Sequence, residues 1–265
     1  METTRRRWQE ILFNRKMVTC IFLGFTSGLP LYVLIQLVPA WLRSHEVDLA
    51  TIGLFALVSL PYTWKFLWSP LMDRYKLPFL GRRRGWALIT QLGLLVSIAA
   101  LGQFDPSASL QAIVVTVFIV SLFGASQDIV VDAYRRELLA DDELGTGTSL
   151  FINAYRLSSL VPGSLALILS DVLPWPVVYW VTAAFMGVGI ITTIIIREVS
   201  DDALAPATLR EAVVDPFKEF FSRGGIKAGL AILGFMFLYK LGDNMATALA
   251  TPCLLYTSPS PRDQL

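Results

Sequence analysis

Histidine and cysteine are nearly absent from this chain. Its single histidine, His45, and its two cysteines, Cys20 and Cys253, are too few and too scattered for a zinc centre or a disulfide framework. The sequence has no Walker phosphate loop, no serine elbow and no zinc-spaced motif, which removes the common hydrolytic and ATP-driven chemistries in cis. Charge is sparse as well: Asp, Glu, Lys and Arg make up 16% of 265 residues and leave a net charge of +1. No bulk basicity points to nucleic acid, and no acidic excess points to a cationic partner. Neither a cofactor nor a metal is expected, and an enzymatic role is not. His45 stands in a short predicted external loop, where an exposed imidazole is the ordinary outcome.

What the chain has in abundance is apolar surface, at 54% of residues. A bilayer core about 30 Å thick needs roughly 20 apolar helical residues to cross it. Seven segments reach that length, at 17–42, 50–72, 86–104, 110–134, 148–170, 177–197 and 228–254. The first is far longer than a signal-peptide core and lacks a cleavage site, so it reads as a retained span. Lys and Arg lie almost wholly on one side of these spans. The N-terminus holds five, the 73–85 loop five, the 135–147 loop two and the 197–227 stretch five, seventeen against the lone Arg43 opposite. By the positive-inside rule this places the N-terminus in the cytoplasm of a multi-pass membrane protein.

Six ionisable residues, Lys65, Asp128, Asp132, Arg156, Lys240 and Asp243, fall inside the spans or near their ends. A central Arg, Lys or Asp facing lipid costs about 2.5 to 3.5 kcal/mol on insertion scales, so all six should face other helices or a wet cavity. Two readings stay open: mutual pairing that fixes helix register, or a path for a polar solute and protons.

Several stripes at helical spacing carry the second reading. In the first span Gly24, Gly28, Tyr32 and Gln36 repeat every four residues, two small and two polar, on one face. Pro30 in that span frees a backbone carbonyl. The fourth span, SLFGASQDIVVDAYRREL, lines up Ser121, Gly124, Asp128, Asp132 and Arg135. Carboxylates at i and i+4 oppose each other's ionisation, so protonation of one is expected; its depth makes Asp128 the candidate proton carrier, and Asp132, near the cytoplasmic end, is left to Arg135, Arg136 or Arg74. The fifth span sets Ser149, Asn153 and Arg156 on one face; Arg156 either takes an anionic ligand or pairs with Asp128. In the seventh span Lys240, Asp243 or Asn244, Thr247 and Thr251 form a polar stripe, and Lys240 and Asp243 could satisfy each other. Lys65 lies too deep to snorkel and calls for a carboxylate on another span. Val213, Val214, Phe217, Phe220 and Phe221 oppose Asp215, Lys218, Glu219 and Arg223, the pattern of an interfacial helix between bundles.

The loop SPLMDRYKLPFLGRRRGW resembles the signature loop of the major facilitator superfamily. Asp73, Arg74, Gly81, Arg82 and Arg83 take the matching roles, although Tyr75 to Leu80 widen the spacing and Ser69 replaces a customary glycine. Together with GFTSGLPLYVL, SQDIVVDAYRREL and LYKLGDNMATALATP it resembles the muropeptide permease family of AmpG type over about residues 17 to 252. The resemblance implies an all-α polytopic membrane protein of major facilitator type, with a six-helix N-terminal bundle followed by the first helix of a second bundle. It implies a permease of the bacterial inner membrane that imports anhydro-muropeptides by proton symport for peptidoglycan recycling. Its partners would be the bilayer, an amino-sugar peptide, protons and the remaining C-terminal bundle, since the central site of this family lies between two halves.

The expected organisation is a cytoplasmic N-terminus at 1–16, the bundle at 17–197, a cytoplasmic linker with the interfacial helix at 198–227 and a seventh helix at 228–252. The Pro- and Ser-rich stretch 253–265 is set apart as a non-native or disordered tail of a truncated chain. Asp128, Asp132 and Asp243 are the proton-coupling candidates. Tyr32, Gln36, Lys65, Gln127, Asn153, Arg156 and Lys240 supply the amide, phenol and cationic groups that a peptide-bearing sugar needs from a cavity wall. Asp73, Arg74, Gly81, Arg82 and Arg83 form the cytoplasmic gate, pairing in one state and separating in the other. Three rivals stand beside it: another permease of the superfamily, such as an acetyl-coenzyme A transporter, a membrane enzyme using Asp128 and Asp132 as acid and base, and a non-transporting scaffold, against which so many charges within the spans argue.

Overall fold

A computed structural model of the chain describes residues 14–199, 218–222 and 224–239. The chain divides into two compact units, Met1–Pro206 and Ala207–Leu265.

In the first unit six helices are long and apolar enough to cross a membrane: α1 (Arg15–Ser44), α2 (Ala50–Leu67), α3 (Arg82–Leu101), α4 (Leu110–Leu138), α5 (Leu144–Ser170) and α6 (Trp175–Ile195). They match the first six predicted spans, with two informative differences. Helix α3 starts four residues early and α4 runs four residues longer than apolar content alone predicts. In both cases the extra turn carries arginines, and Arg83, Arg84, Arg135 and Arg136 find carboxylate or carbonyl partners at the same end of the bundle, so the helix accepts them.

The helices start and bend where local chemistry dictates. Asn14 caps α1, its side chain accepting from the Lys16 N–H at 3.4 Å. Pro30 and Pro39 interrupt the α1 ladder, and the backbone between them widens to a π-helical turn at Val33–Leu37. Pro162 sits in a second π-helical turn, Val161–Leu165 of α5, which packs against the first. Such turns re-register a helix where proline removes an i to i−4 bond. In α2 the ladder alternates between α and 3-10 geometry, with a 3-10 turn at Lys65–Leu67, and a short helix, Ser69–Arg74, continues it.

Packing centres on α1, which lies against α4, α5 and α6, while α3 joins α4 to α6 and α2 leans on α4. The α1–α5 seam is the tightest. A Cβ on Gly24 would fall 3.0 Å from the carbonyl carbon of Phe151, and one on Gly28 would fall 3.0 Å from that of Tyr155, with the oxygens nearer still. Small residues are what let two membrane helices meet backbone to backbone. The Gly24 and Gly28 stripe therefore faces α5.

Three apolar clusters fill the bundle, and two of them are stacked along α1. One, toward the Arg43 end, gathers Leu29, Leu37, Trp41, Ile98, Ile113 and Tyr179, with the Trp41 and Tyr179 rings edge-on at 5.1 Å. The other, toward the arginine-rich end, gathers Met17, Cys20, Leu23, Val131, Tyr134 and Phe151. On α1 the two cores stop at Leu29 and Leu23, and the buried residues between them include Thr26 and Ser27. Gln127 and Gln91 are likewise fully buried, Gln91 accepting from Thr193 Oγ1 at 2.9 Å. A polar belt thus lies between the two cores on α1, beside buried Ser and Thr side chains elsewhere in the bundle.

In the second unit, residues 218–222 are helical and Gly224–Tyr239 is a further apolar helix, α7. Phe220 and Phe221 stand edge-on at 5.2 Å. The rest of the expected interfacial helix and of the 228–254 span, with Lys240 and Asp243, lies outside the described residues.

Candidate functional site

The polar belt is organised around Asp128. Placed in the middle of α4, its carboxylate accepts from Ser27 of α1 through Oδ1 and from Lys65 Nζ of α2 through Oδ2 at 3.3 Å. The Asp128 side chain is 15% exposed and that of Lys65 32%, so the ion pair is mostly sheltered but not sealed. Three helices therefore converge on one carboxylate, and the 3-10 turn that begins at Lys65 sets where its side chain leaves α2. Ser27 lies one residue before the Gly28 stripe, which is why spacing arguments pass over it. Tyr62 is drawn into the same region, with its hydroxyl buried against Gly124.

Asp132, one turn along, behaves differently. It is 47% exposed and pairs with Arg135 of its own helix at 3.0 Å, and the Arg135 guanidinium lies over the Phe151 ring at 4.3 Å. The two acids that share a stripe thus have separate partners, one bonded across to α1 and α2 and the other within α4. Arg156 does not meet Asp128. It is exposed on α5 and forms no ion pair among the described residues. Asn153 is exposed one turn away and spends a donor on the Ser149 carbonyl of its own helix at 2.8 Å.

The remaining cavity candidates divide. Tyr32 is half-buried with its ring edge-on to Tyr155 at 5.9 Å. Gln36 is half-buried in the π-turn, with Oε1 against Gly163 and without a partner. Gln127 lies wholly inside the bundle, and neither end of its amide is bonded. An unmade hydrogen bond to a buried polar group costs about 1 to 3 kcal/mol, which marks the belt as a place where packing is not optimised for stability.

At the arginine-rich end a second cluster is centred on Arg83. Its guanidinium bridges Asp73 Oδ1 at 2.5 Å and Glu137 Oε1 at 2.7 Å, tying the α2–α3 loop and α3 to the end of α4. Arg82 reaches back to the Asp73 carbonyl at 3.2 Å, and Arg74 lies over the Tyr75 ring at 5.7 Å. Gly81 adopts φ +88, a left-handed conformation that the loop needs to deliver three arginines into α3. Glu137 and Arg84 escape motif reasoning. Arg84 caps α6 by donating to the carbonyls of Thr193 at 3.0 Å and Ile194 at 2.7 Å, a use of charge at a helix C-terminus that only tertiary contact reveals.

Sequence comparison identifies the class. A model of the Major Facilitator Superfamily matches residues 20–257, and the chain belongs to that superfamily. Within it, the chain is similar to the anhydromuropeptide permease of Escherichia coli K12, 45% identical over 236 residues that are 89% of this chain and 48% of the relative. It is similar also to an uncharacterized protein of Haemophilus influenzae, 44% identical over 91% of this chain and 57% of the relative. The chain spans about half the length of these curated relatives. Helices and family together make it a multi-pass membrane protein of that superfamily.

Proposed function

We propose that this chain forms the N-terminal bundle and the start of a second bundle of a proton-coupled importer of anhydro-muropeptides in the bacterial inner membrane, with its arginine-rich ends in the cytoplasm. The observation that carries the reading is the Asp128 site, a carboxylate at mid-bundle held by a serine and a lysine from two other helices. The similarity to the Escherichia coli anhydromuropeptide permease supports the solute class.

Chemically, the site couples two ligands through one cation. While Asp128 is ionised, Lys65 is compensated. When Asp128 takes a proton, it can donate to Ser27 Oγ instead, and Lys65 becomes an unmatched cation that attracts a carboxylate of the solute. Proton and anionic solute then favour each other's binding, which is the reciprocity that symport requires. Arg156 and Asn153, exposed on α5, face the solute from the cavity wall, and Tyr32 and Gln36 line its far end. The Arg83 cluster is the gate: its bridges close the cytoplasmic end in one state and part in the other.

The test is uptake of labelled anhydro-muropeptide by vesicles carrying the full-length protein. Accumulation should collapse with a protonophore and in Asp128→Asn. Gradient-driven uptake of acetyl-coenzyme A alone would transfer the protein to another permease class, and chemical turnover of a solute without a gradient would defeat the transport reading.

A further inference from the structure

Where α1 meets the end of α6, the arginine-rich end of the bundle carries a cleft that the transport reading does not use. A cavity of about 230 Å³ opens there, lined by Arg15, Lys16, Thr19, Tyr134 and Arg197 among others. It shares Arg15, Thr19 and Ile196 with a groove of about 500 Å³ that runs between α1 and α6 past Phe22, Val188 and Ile191.

The polar end is built rather than incidental. Tyr134 Oη donates to the Arg197 carbonyl at 2.8 Å and Arg15 Nη2 donates to the Ile195 carbonyl at 3.3 Å, so two side chains fix the backbone where α6 ends. Thr19 Oγ1 turns back onto the Arg15 carbonyl at 2.8 Å. Lys16 is matched by Glu143 at 2.6 Å. Arg15 and Arg197 are exposed and meet no carboxylate among the described residues, and the bond to Ile195 uses one of five N–H donors on Arg15. The apolar end is open, with Phe22 44% and Ile191 59% exposed.

We propose that this composite cleft holds one anionic phospholipid of the adjacent leaflet, its phosphate between Arg15 and Arg197 and one acyl chain in the α1–α6 groove. The order of chemistry along the cleft is that of a lipid, two guanidinium groups that meet no carboxylate among the described residues and apolar side chains below them. Arginine forks fit phosphate oxygens, and basic pockets between membrane helices select acidic head groups. From Arg15 to Phe22 the groove follows α1 for roughly 10 Å, which keeps it inside one leaflet of a hydrocarbon core about 30 Å thick.

The 265-residue chain, reconstituted in nanodiscs of equal parts phosphatidylglycerol and phosphatidylcholine and released for native mass spectrometry, should keep phosphatidylglycerol in preference by about 30-fold, the worth of two cationic contacts at a membrane surface. Arg15→Gln with Arg197→Gln should bring the preference to within about twofold. Ile191→Trp should lower retention of both lipids by filling the groove, and Arg43→Gln at the opposite end should leave the preference intact, with unchanged helix content confirming the fold of each. Equal retention of the two lipids by the unsubstituted chain would overturn the proposal. So would a preference that survives loss of both arginines, or one that free inorganic phosphate abolishes while Ile191→Trp has no effect, which is the behaviour of a bare anion site. A second copy of the chain retained in place of lipid would also overturn it.

Discussion

Lys65 Nζ lies 3.3 Å from Asp128 Oδ2, and this ion pair joins α2 to α4 at the level where the two apolar cores part. Stranding one member of a fully buried pair costs about 3 to 5 kcal/mol, and this pair, being partly exposed, should cost less. Lys65→Met and Asp128→Asn are therefore each expected to lower the unfolding midpoint in detergent, while the double substitution regains most of the loss. Uptake should stay absent in all three. Thermal unfolding followed by tryptophan fluorescence separates the two effects, and a double variant no more stable than either single one would show that the pair does not act as a unit.

Arg83 sets a second expectation. Its planar fork reaches Asp73 and Glu137 together, a geometry that the single ammonium of lysine does not reproduce. Arg83→Lys should then be nearly as damaging as Arg83→Gln, both to the unfolding midpoint and to transport by the full-length protein. Rescue of both by lysine would mean that charge alone matters at this position.

Much of this architecture is legible in the sequence, and what is not has a physical reason. Six spans follow from apolar length, and the inward face of α1 follows from the four-residue repeat of Gly24 and Gly28, because both signals are local. The partners of charges are not local. Nothing in the spacing distinguishes Lys65 from Arg156 as the cation that meets Asp128, since the choice depends on how α2 unwinds into a 3-10 turn at Lys65. Ser27 falls outside a stripe drawn through its neighbour, and Glu137 and Arg84 act through helices far away in sequence. Gln127, read as a cavity group from its polarity, is wholly interior.

The α1–α5 seam yields a steric prediction. A side chain at Gly24 or Gly28 meets backbone of Phe151 or Tyr155, which cannot swing aside as a flexible side chain would. Gly28→Val should separate the helices, whereas Gly187→Ala, which meets nothing within 4 Å, should be neutral. Disulfide trapping between cysteines placed on α1 and α5 measures the separation. Equal trapping in Gly28→Val and the parent would refute the close contact.

Acid should loosen one clasp outside the spans. The hydrogen bond from Lys16, with help from the Ala140 N–H, holds the Glu143 carboxyl below its ordinary value of 4.5. A depressed folded value means that the carboxylate's stabilising contribution is full above the unfolded value and fades as pH falls through the folded one. The chain and its Glu143→Gln variant should therefore differ in unfolding midpoint at neutral pH and begin to converge only as pH falls below the ordinary value of 4.5. A difference that grew on acidification would reverse the sign and reject the clasp.

The exposed face of α5 separates water from lipid as its neighbour. Arg156 and Asn153 stand outward at a depth where a bare charge facing hydrocarbon costs about 2.5 to 3.5 kcal/mol, so the cavity reading requires water there. A thiol reacts with charged methanethiosulfonates only as thiolate, and thiolate forms only where water solvates it. In the full-length protein with its native cysteines replaced, Arg156→Cys should react with the membrane-impermeant reagent, and added solute should protect it. Gln127→Cys, enclosed by the bundle, should stay unmodified until the protein is denatured. A silent position 156 beside a reactive position 127 would turn α5 outward to lipid and move the cavity to another face.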